Sequence, residues 1–141
     1  MKDHLFLNKL TIAFGLLVTF MPFSVIHAQS KPWVAPVQYA NLSNPSVASP
    51  DKVNAGKVLY QTYCSPCHGT KGKGDGAAAV ALTPKPADHT SPAMANETDG
   101  SLFYKISEGR TPMPKYKEAF TEQQRWELID YIRTLSKTQK K

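Results

Sequence analysis

An all-α domain with long loops is what this sequence predicts, and three observations carry that expectation. Apolar residues recur at spacings of three and four in three segments, each with a recognisable helix start or stop. No strand-like alternation competes with them. The third observation is size. The chain has 141 residues, yet residues 10–30 carry no Asp, Glu, Lys or Arg, and residues 31–50 hold four of the eleven prolines. Setting both stretches aside leaves roughly 90 residues, too few to stabilise a fold comfortably from side chains alone. The only two cysteines, Cys64 and Cys67, stand too close together to staple distant elements. A cofactor is therefore expected rather than a disulfide framework.

Lys2 and Lys9 bracket a polar start, after which Leu10 to Ile26 is apolar apart from two threonines, a serine and Pro22, and Ile26-His27-Ala28 ends on a small residue. This is the layout of a secretory signal peptide over residues 1–28, with cleavage after Ala28. The alternative is a retained membrane anchor, for which an apolar run of about 17 residues is at the short limit. Membrane association is expected only in that case. Either way the remainder is exported to a periplasmic or other extracytoplasmic, oxidising compartment. The full chain has a formal net charge of +6, and losing Lys2, Asp3 and Lys9 leaves it basic. That charge suits an acidic protein partner or an anionic surface. Nucleic acid is not expected as a partner, because no recognised nucleic-acid motif is present and export removes the usual target.

Residues 29–49 have no apolar period and read as a Pro-rich linker or wrap, with Trp33 the one residue expected to pack on the domain. The domain itself is expected over residues 50–137, followed by a basic tail at 138–141. Ser49-Pro50-Asp51 opens a helix with a capping serine, proline at the first helical position and an acid in the first turn. Val53, Gly56, Tyr60 and Tyr63 then share one face. A glycine in mid-helix costs about 1 kcal/mol relative to alanine, so Gly56 points to a close crossing by another helix. A second helix is expected from about Asp99 to Glu108, stopped by Gly109. The third follows the capping box Thr121-Glu122-Gln123-Gln124 and carries Trp126, Leu128, Ile129, Tyr131, Ile132 and Leu135.

Chemistry concentrates in Cys64-Ser65-Pro66-Cys67-His68, the attachment sequence of a c-type haem. The spacing fits the reaction: two thiols add across the two vinyl groups of one porphyrin edge, and the imidazole beside the second reaches the iron. A thioredoxin-like redox pair needs a βαβ context, and a zinc ribbon needs a second cysteine pair, neither of which is here. A surface disulfide would leave His68 unexplained. For the second axial position the candidates are Met113, Met94 and His89. Met113 is preferred, because Pro112 and Pro114 stiffen its backbone and keep it out of a helix core, whereas Met94 reads as a loop methionine that packs.

With these residues in place, the chain resembles a class I cytochrome c over about residues 50–137. The first helix with Gly56 and Tyr60, the Cys64–His68 motif, the Met113-Pro114 loop and the last helix with Leu128 and Tyr131 follow the family's order. The resemblance is nearest to small bacterial monohaem cytochromes with a glycine-rich stretch after the motif, here Gly69, Gly72, Gly74 and Gly76. It implies three to five helices wrapped around one covalently attached haem, with His68 and Met113 as axial ligands. Many relatives place Gly-Pro about nine residues after the ligand histidine, the proline carbonyl accepting from its Nδ1; here the pair is Gly76-Ala77, so the Ala77 carbonyl is expected in that role.

Iron with both axial positions filled changes oxidation state without an open site for substrate. The expected function is thus an exported carrier of single electrons rather than an enzyme. Lys71, Lys73, Lys85, Lys115 and Lys117 are candidates to dock acidic redox partners, and Arg110 to pair with a haem propionate. The rivals are a haem subunit fixed in a respiratory or reductase complex, and a haem peroxidase or gas sensor in which Met113 dissociates.

Overall fold

A computed structural model describes residues 31–45 and 47–137. The expected signal segment 1–28 and the basic tail 138–141 lie outside the described residues. Among the described residues six α-helical segments follow one another: α1 (Val37–Ala40), α2 (Pro50–Leu59), α3 (Ser65–His68), α4 (Pro92–Asn96), α5 (Asp99–Glu108) and α6 (Glu122–Lys137). A π-helical turn, Tyr60–Cys64, joins α2 to α3, and a 3₁₀ turn spans Ala77–Ala81. Among the described residues the only β feature is the isolated bridge between Arg110 and Met113, and no helix is long and apolar enough to cross a membrane.

The three long helices begin where their caps dictate. Ser49 accepts from the Lys52 amide at 3.4 Å with Pro50 in the first turn. Thr98 accepts from the Ser101 amide at 3.1 Å at the head of α5. At α6 the capping box closes reciprocally, the Gln124 amide donating to Thr121 Oγ1 at 3.2 Å and the Thr121 amide to Gln124 Oε1 at 2.8 Å. This satisfies donors that the first helical turn otherwise leaves without partners.

α2 and α6 form the main helix pair, crossing at Gly56. A Cβ at Gly56 would overlap the Glu127 carbonyl oxygen, so only glycine admits this backbone approach. Beside the crossing, Tyr60, Leu128 and Ile129 are the largest side chains fully removed from solvent, and the Tyr60 and Tyr131 rings pack at 5.2 Å. α5 joins them through Phe103, stacked at 4.2 Å on Trp126. Arg133 ties the layers together. It donates to Asp99 at 2.7 Å, to the Met94 carbonyl at 3.0 Å and to the Glu97 carbonyl. Burial of each large apolar side chain contributes about 1.5–3 kcal/mol.

Two expectations change. Residues 29–49, read as lacking any period, contain α1, a single turn too short to register as one. Its position is set by tertiary contacts: Tyr39 packs on Tyr104 at 5.0 Å, Thr98 donates to the Ala40 carbonyl at 2.8 Å, and Asn44 donates to Asp130 at 2.7 Å. Met94, read as a loop residue, lies in α4, where Ser91 accepts from its amide at 3.2 Å.

Gly56→Val is expected to destabilise the haem-loaded protein by about 1–3 kcal/mol through overpacking, lowering its urea midpoint. Val58→Ala, on the same helix at a position 58% exposed, should shift it by less than about 0.5 kcal/mol. Equal midpoints for Gly56→Val and wild type would show that the helices part at no cost.

Candidate cofactor site

The site is built where α2 runs out. The π turn at Tyr60–Cys64 adds a residue to the helical path and lets α3 follow directly, so the Cys64–His68 sequence sits on a continuous helical run anchored by the α2–α6 crossing. Cys64 is buried and Cys67 half-buried, and both are free thiols. Burial, reinforced by Cys67, pushes the Cys64 thiol up to about 12. That shift runs opposite to the lowered thiol pKa that a redox-active dithiol uses.

Beyond His68 the chain doubles back. Gly69 and Gly74, at φ of 79° and 74°, take the left-handed backbone that side chains resist, and the Gly74 amide then donates to the His68 carbonyl at 2.8 Å. The Gly76 amide donates to the Cys67 carbonyl at 3.1 Å. The Ala77–Ala81 turn that follows is fastened by Lys85, which donates to the carbonyls of Ala79 and Val80 at 2.8 and 3.2 Å.

Only after this detour does the chain reach the His68 ring, and the carbonyl it brings is that of Ala87, 2.9 Å from His68 Nδ1. The expectation for Ala77 is thereby corrected. Ala77 is committed to the 3₁₀ turn beside α3, and counting nine residues from the histidine did not allow for the longer loop. A carbonyl oxygen only accepts, so Nδ1 carries the proton and Nε2 keeps its lone pair for a metal. Burial lowers the His68 pKa, and the Ala87 contact partly restores it.

His89, an alternative ligand on sequence grounds, stacks on the His68 ring at 4.2 Å with an interplanar angle of 18°. Its Nδ1 lies 3.3 Å from the Tyr60 hydroxyl, which donates to the Gly69 carbonyl at 3.1 Å. Burial, with His68 next to it, takes the His89 pKa down to about 3, so this ring is neutral. The π face of His68 is thus buttressed by an uncharged imidazole.

These groups open on one cleft with two lobes, of about 460 and 240 Å³. Cys64, His68, Ala87, Arg110 and Met113 line both lobes. Met94 and His89 reach only the larger, and Cys67 and Lys85 only the smaller. Leu102, Ile106, Leu128 and Ile132 supply apolar wall. Met113 is fixed by paired bonds with Arg110, its amide donating at 2.8 Å and its carbonyl accepting at 3.0 Å. Among the described residues, no group of three or more His, Cys, Asp or Glu side chains converges as a direct metal site. Two thiols, an imidazole with a free Nε2 and a thioether around an apolar cleft fit a covalently attached haem.

Sequence reasoning missed Ala87, because a carbonyl belongs to every residue. It also missed Lys105 and Tyr116, whose side chains line the cleft. Tyr116 donates to the Tyr63 carbonyl at 3.2 Å.

The family described as cytochrome c oxidase, cbb3-type, subunit III matches residues 51–132. No curated protein gives a significant match. Among solved structures, a chain of the Kuenenia stuttgartiensis reducing HAO-like protein complex Kustc0457/Kustc0458 is 25% identical with a TM-score of 0.57. The match covers 67% of this chain and 49% of that one, so this chain spans about half of that relative's length. The KustC0563 c-type cytochrome is 24% identical with a TM-score of 0.50, over 57% of this chain and 95% of its own. Cytochrome cL of Methylophaga aminisulfidivorans is 24% identical with a TM-score of 0.49, over 67% of this chain and 59% of its own.

Acid–acetone treatment of the loaded protein is expected to leave its colour with the polypeptide, and intact mass to exceed that of the chain by one haem. Cys67→Ala should leave at most one thioether and much less coloured protein. Extraction of the colour into the solvent would refute covalent attachment.

Proposed function

The chain belongs to the cytochrome c oxidase, cbb3-type, subunit III family, and on that premise we propose that it is an exported carrier of single electrons whose haem iron is held between His68 and Met113. It has the all-α cytochrome c fold and one covalently bound haem c. The observation that supports the axial pair is that His68 and Met113 both line the two lobes of the cleft that contains Cys64.

The haem supplies a one-electron iron couple, and this chain's residues do the rest. Cys64 and Cys67 hold the group, the Ala87 carbonyl orients His68, and the Arg110–Met113 bridge fixes the thioether. With both axial positions filled, no coordination site is open to oxygen or peroxide, which favours a carrier over a peroxidase or gas sensor. Methionine in place of a second histidine favours the ferrous state. Residues 1–28 are read as the export signal and the working compartment as the periplasm or its equivalent.

Docking to an acidic partner falls to fewer lysines than five. Lys71 and Lys73 are exposed on the glycine-rich loop, and Lys85 borders the smaller lobe beside Cys67. Lys115 and Lys117 each face a glutamate, Glu118 at 3.0 Å and Glu108 at 3.5 Å, which reduces their net field. A second reading, a haem subunit fixed in a larger redox complex, draws support from the family, named for an oxidase subunit, and from the Kuenenia relative, a chain of a complex.

Met113→Ala is expected to abolish the long-wavelength sulfur-to-iron band of the oxidised protein and let the reduced form bind carbon monoxide; Met94→Ala should do neither. Loss of the band in the Met94 variant would reverse the assignment. For the free carrier, the second-order electron-transfer rate should fall steeply as salt shortens the field to about 8 Å at 0.15 M. A rate independent of salt, with co-purification at fixed stoichiometry, would favour the fixed subunit.

A further inference from the structure

The family match begins at residue 51, yet the cleft has a wall from outside it. Trp33 lines both lobes, and Pro32 and Val34 line the larger. The Trp33 ring lies 4.9 Å from the Arg110 guanidinium carbon and 5.9 Å from Lys105 Nζ, and Arg110 also donates to the Lys31 carbonyl at 2.9 Å. Behind Trp33 the segment is held down at several points. Ala35 is buried, Tyr39 packs on Tyr104, Ala40 accepts from Thr98, and the Tyr39 carbonyl comes so near Gly100 that a Cβ there would overlap it.

Building on the haem-cleft reading, we propose that residues 31–44 are a strap that completes the haem pocket, with Trp33, Arg110 and Lys105 together closing it at the propionate-bearing edge of the haem. The chemistry supports that placement. A haem is apolar around its periphery except at two carboxylates, which need cations or donors when water is withdrawn. Arg110 borders both lobes, Lys105 only the larger and Lys85 only the smaller, where its ammonium is committed to the Ala79 and Val80 carbonyls. Of the two vinyl anchors, Cys64 borders both lobes and Cys67 only the smaller, so Lys105 is set apart from Cys67 but shares the larger lobe with Cys64. Lys105 already pairs with Glu97 at 2.6 Å, whereas among the described residues Arg110 has no carboxylate partner. Arg110 is therefore the cation with charge to give, and the Trp33 face holds one side of its guanidinium while the residue as a whole stays exposed.

Removing the indole admits water, which favours the more highly charged ferric form, and loosens Arg110, whose positive charge favours the ferrous form. Both effects have the same sign. At a fixed ambient potential, Trp33→Ala is expected to lower the ferrous-to-ferric ratio roughly threefold to tenfold, tenfold being 59 mV for one electron. Trp33→Phe, which keeps a ring over Arg110, should recover most of the loss. Val37→Ala, exposed on α1 of the same strap, should change nothing. Arg110→Gln should lower the ratio too, and the double variant Trp33→Ala/Arg110→Gln by less than the product of the two, since both act through one contact. Intact mass and the pyridine haemochrome spectrum accompany each variant. A wild-type protein without covalent haem would bring down the haem-cleft reading and this inference with it. Haem present in every variant with Trp33→Ala indistinguishable from wild type, or with fully multiplicative effects in the double variant, would overturn the strap's role alone.

Discussion

The structure depends on one approach, the contact of α2 with α6 at Gly56. Because no side chain separates the two backbones there, Tyr60 and Leu128 reach full burial on either side, and the helical run beyond Tyr60 is aimed along the edge of the core. Cys64 and His68 inherit that aim. Were the helices further apart, the π turn and α3 would move with α2, while Leu128 and Ile132, which wall the cleft from α6, would stay behind. The packing constraint and the geometry of the cofactor site are thus the same constraint.

The two proposed ligands are held by backbone more than by side chains. His68 is oriented by the Ala87 carbonyl and Met113 by a bridge to the Arg110 backbone, with prolines on both sides of the methionine. Loops that wander widely in sequence are pinned back at these points. The left-handed glycines turn the first loop onto the end of α3, and Lys85 fastens the next turn. Such a frame suits a redox centre, whose ligands need to keep their positions in both oxidation states.

Legibility in the sequence followed the range of the interaction. Local signals read directly: the Ser49 cap, the Thr121–Gln124 box and the Gly109 stop mark ends that hydrogen bonds within a few residues determine. The Cys64–His68 sequence also read directly, since its spacing is dictated by the porphyrin edge rather than by the rest of the fold. What did not read was non-local. Ala87 serves His68 through a carbonyl that any residue has, and the choice of Ala87 over Ala77 depends on loop length and on where Lys85 fastens. α1 and α4 were invisible as periods because one turn has none. Their positions come from Thr98, Tyr104 and Arg133, far away in sequence.

The two tryptophans divide this way as well. Trp126 announced itself by its place in a periodic helix and is stacked in the core on Phe103. Trp33 stood alone among prolines, and only its size suggested that it packs. Its partners, Lys105 at the end of α5 and Arg110 beyond Gly109, come from a segment more than seventy residues away. Both cations flank the stop at Gly109, where the helix yields to the loop that bears Met113. A change in how the strap seats on that corner is therefore felt at the methionine loop through Arg110, whose backbone pairs with Met113 while its side chain meets Trp33 and Lys31. One residue joins the segment that precedes the family match to the part of the fold that the match covers.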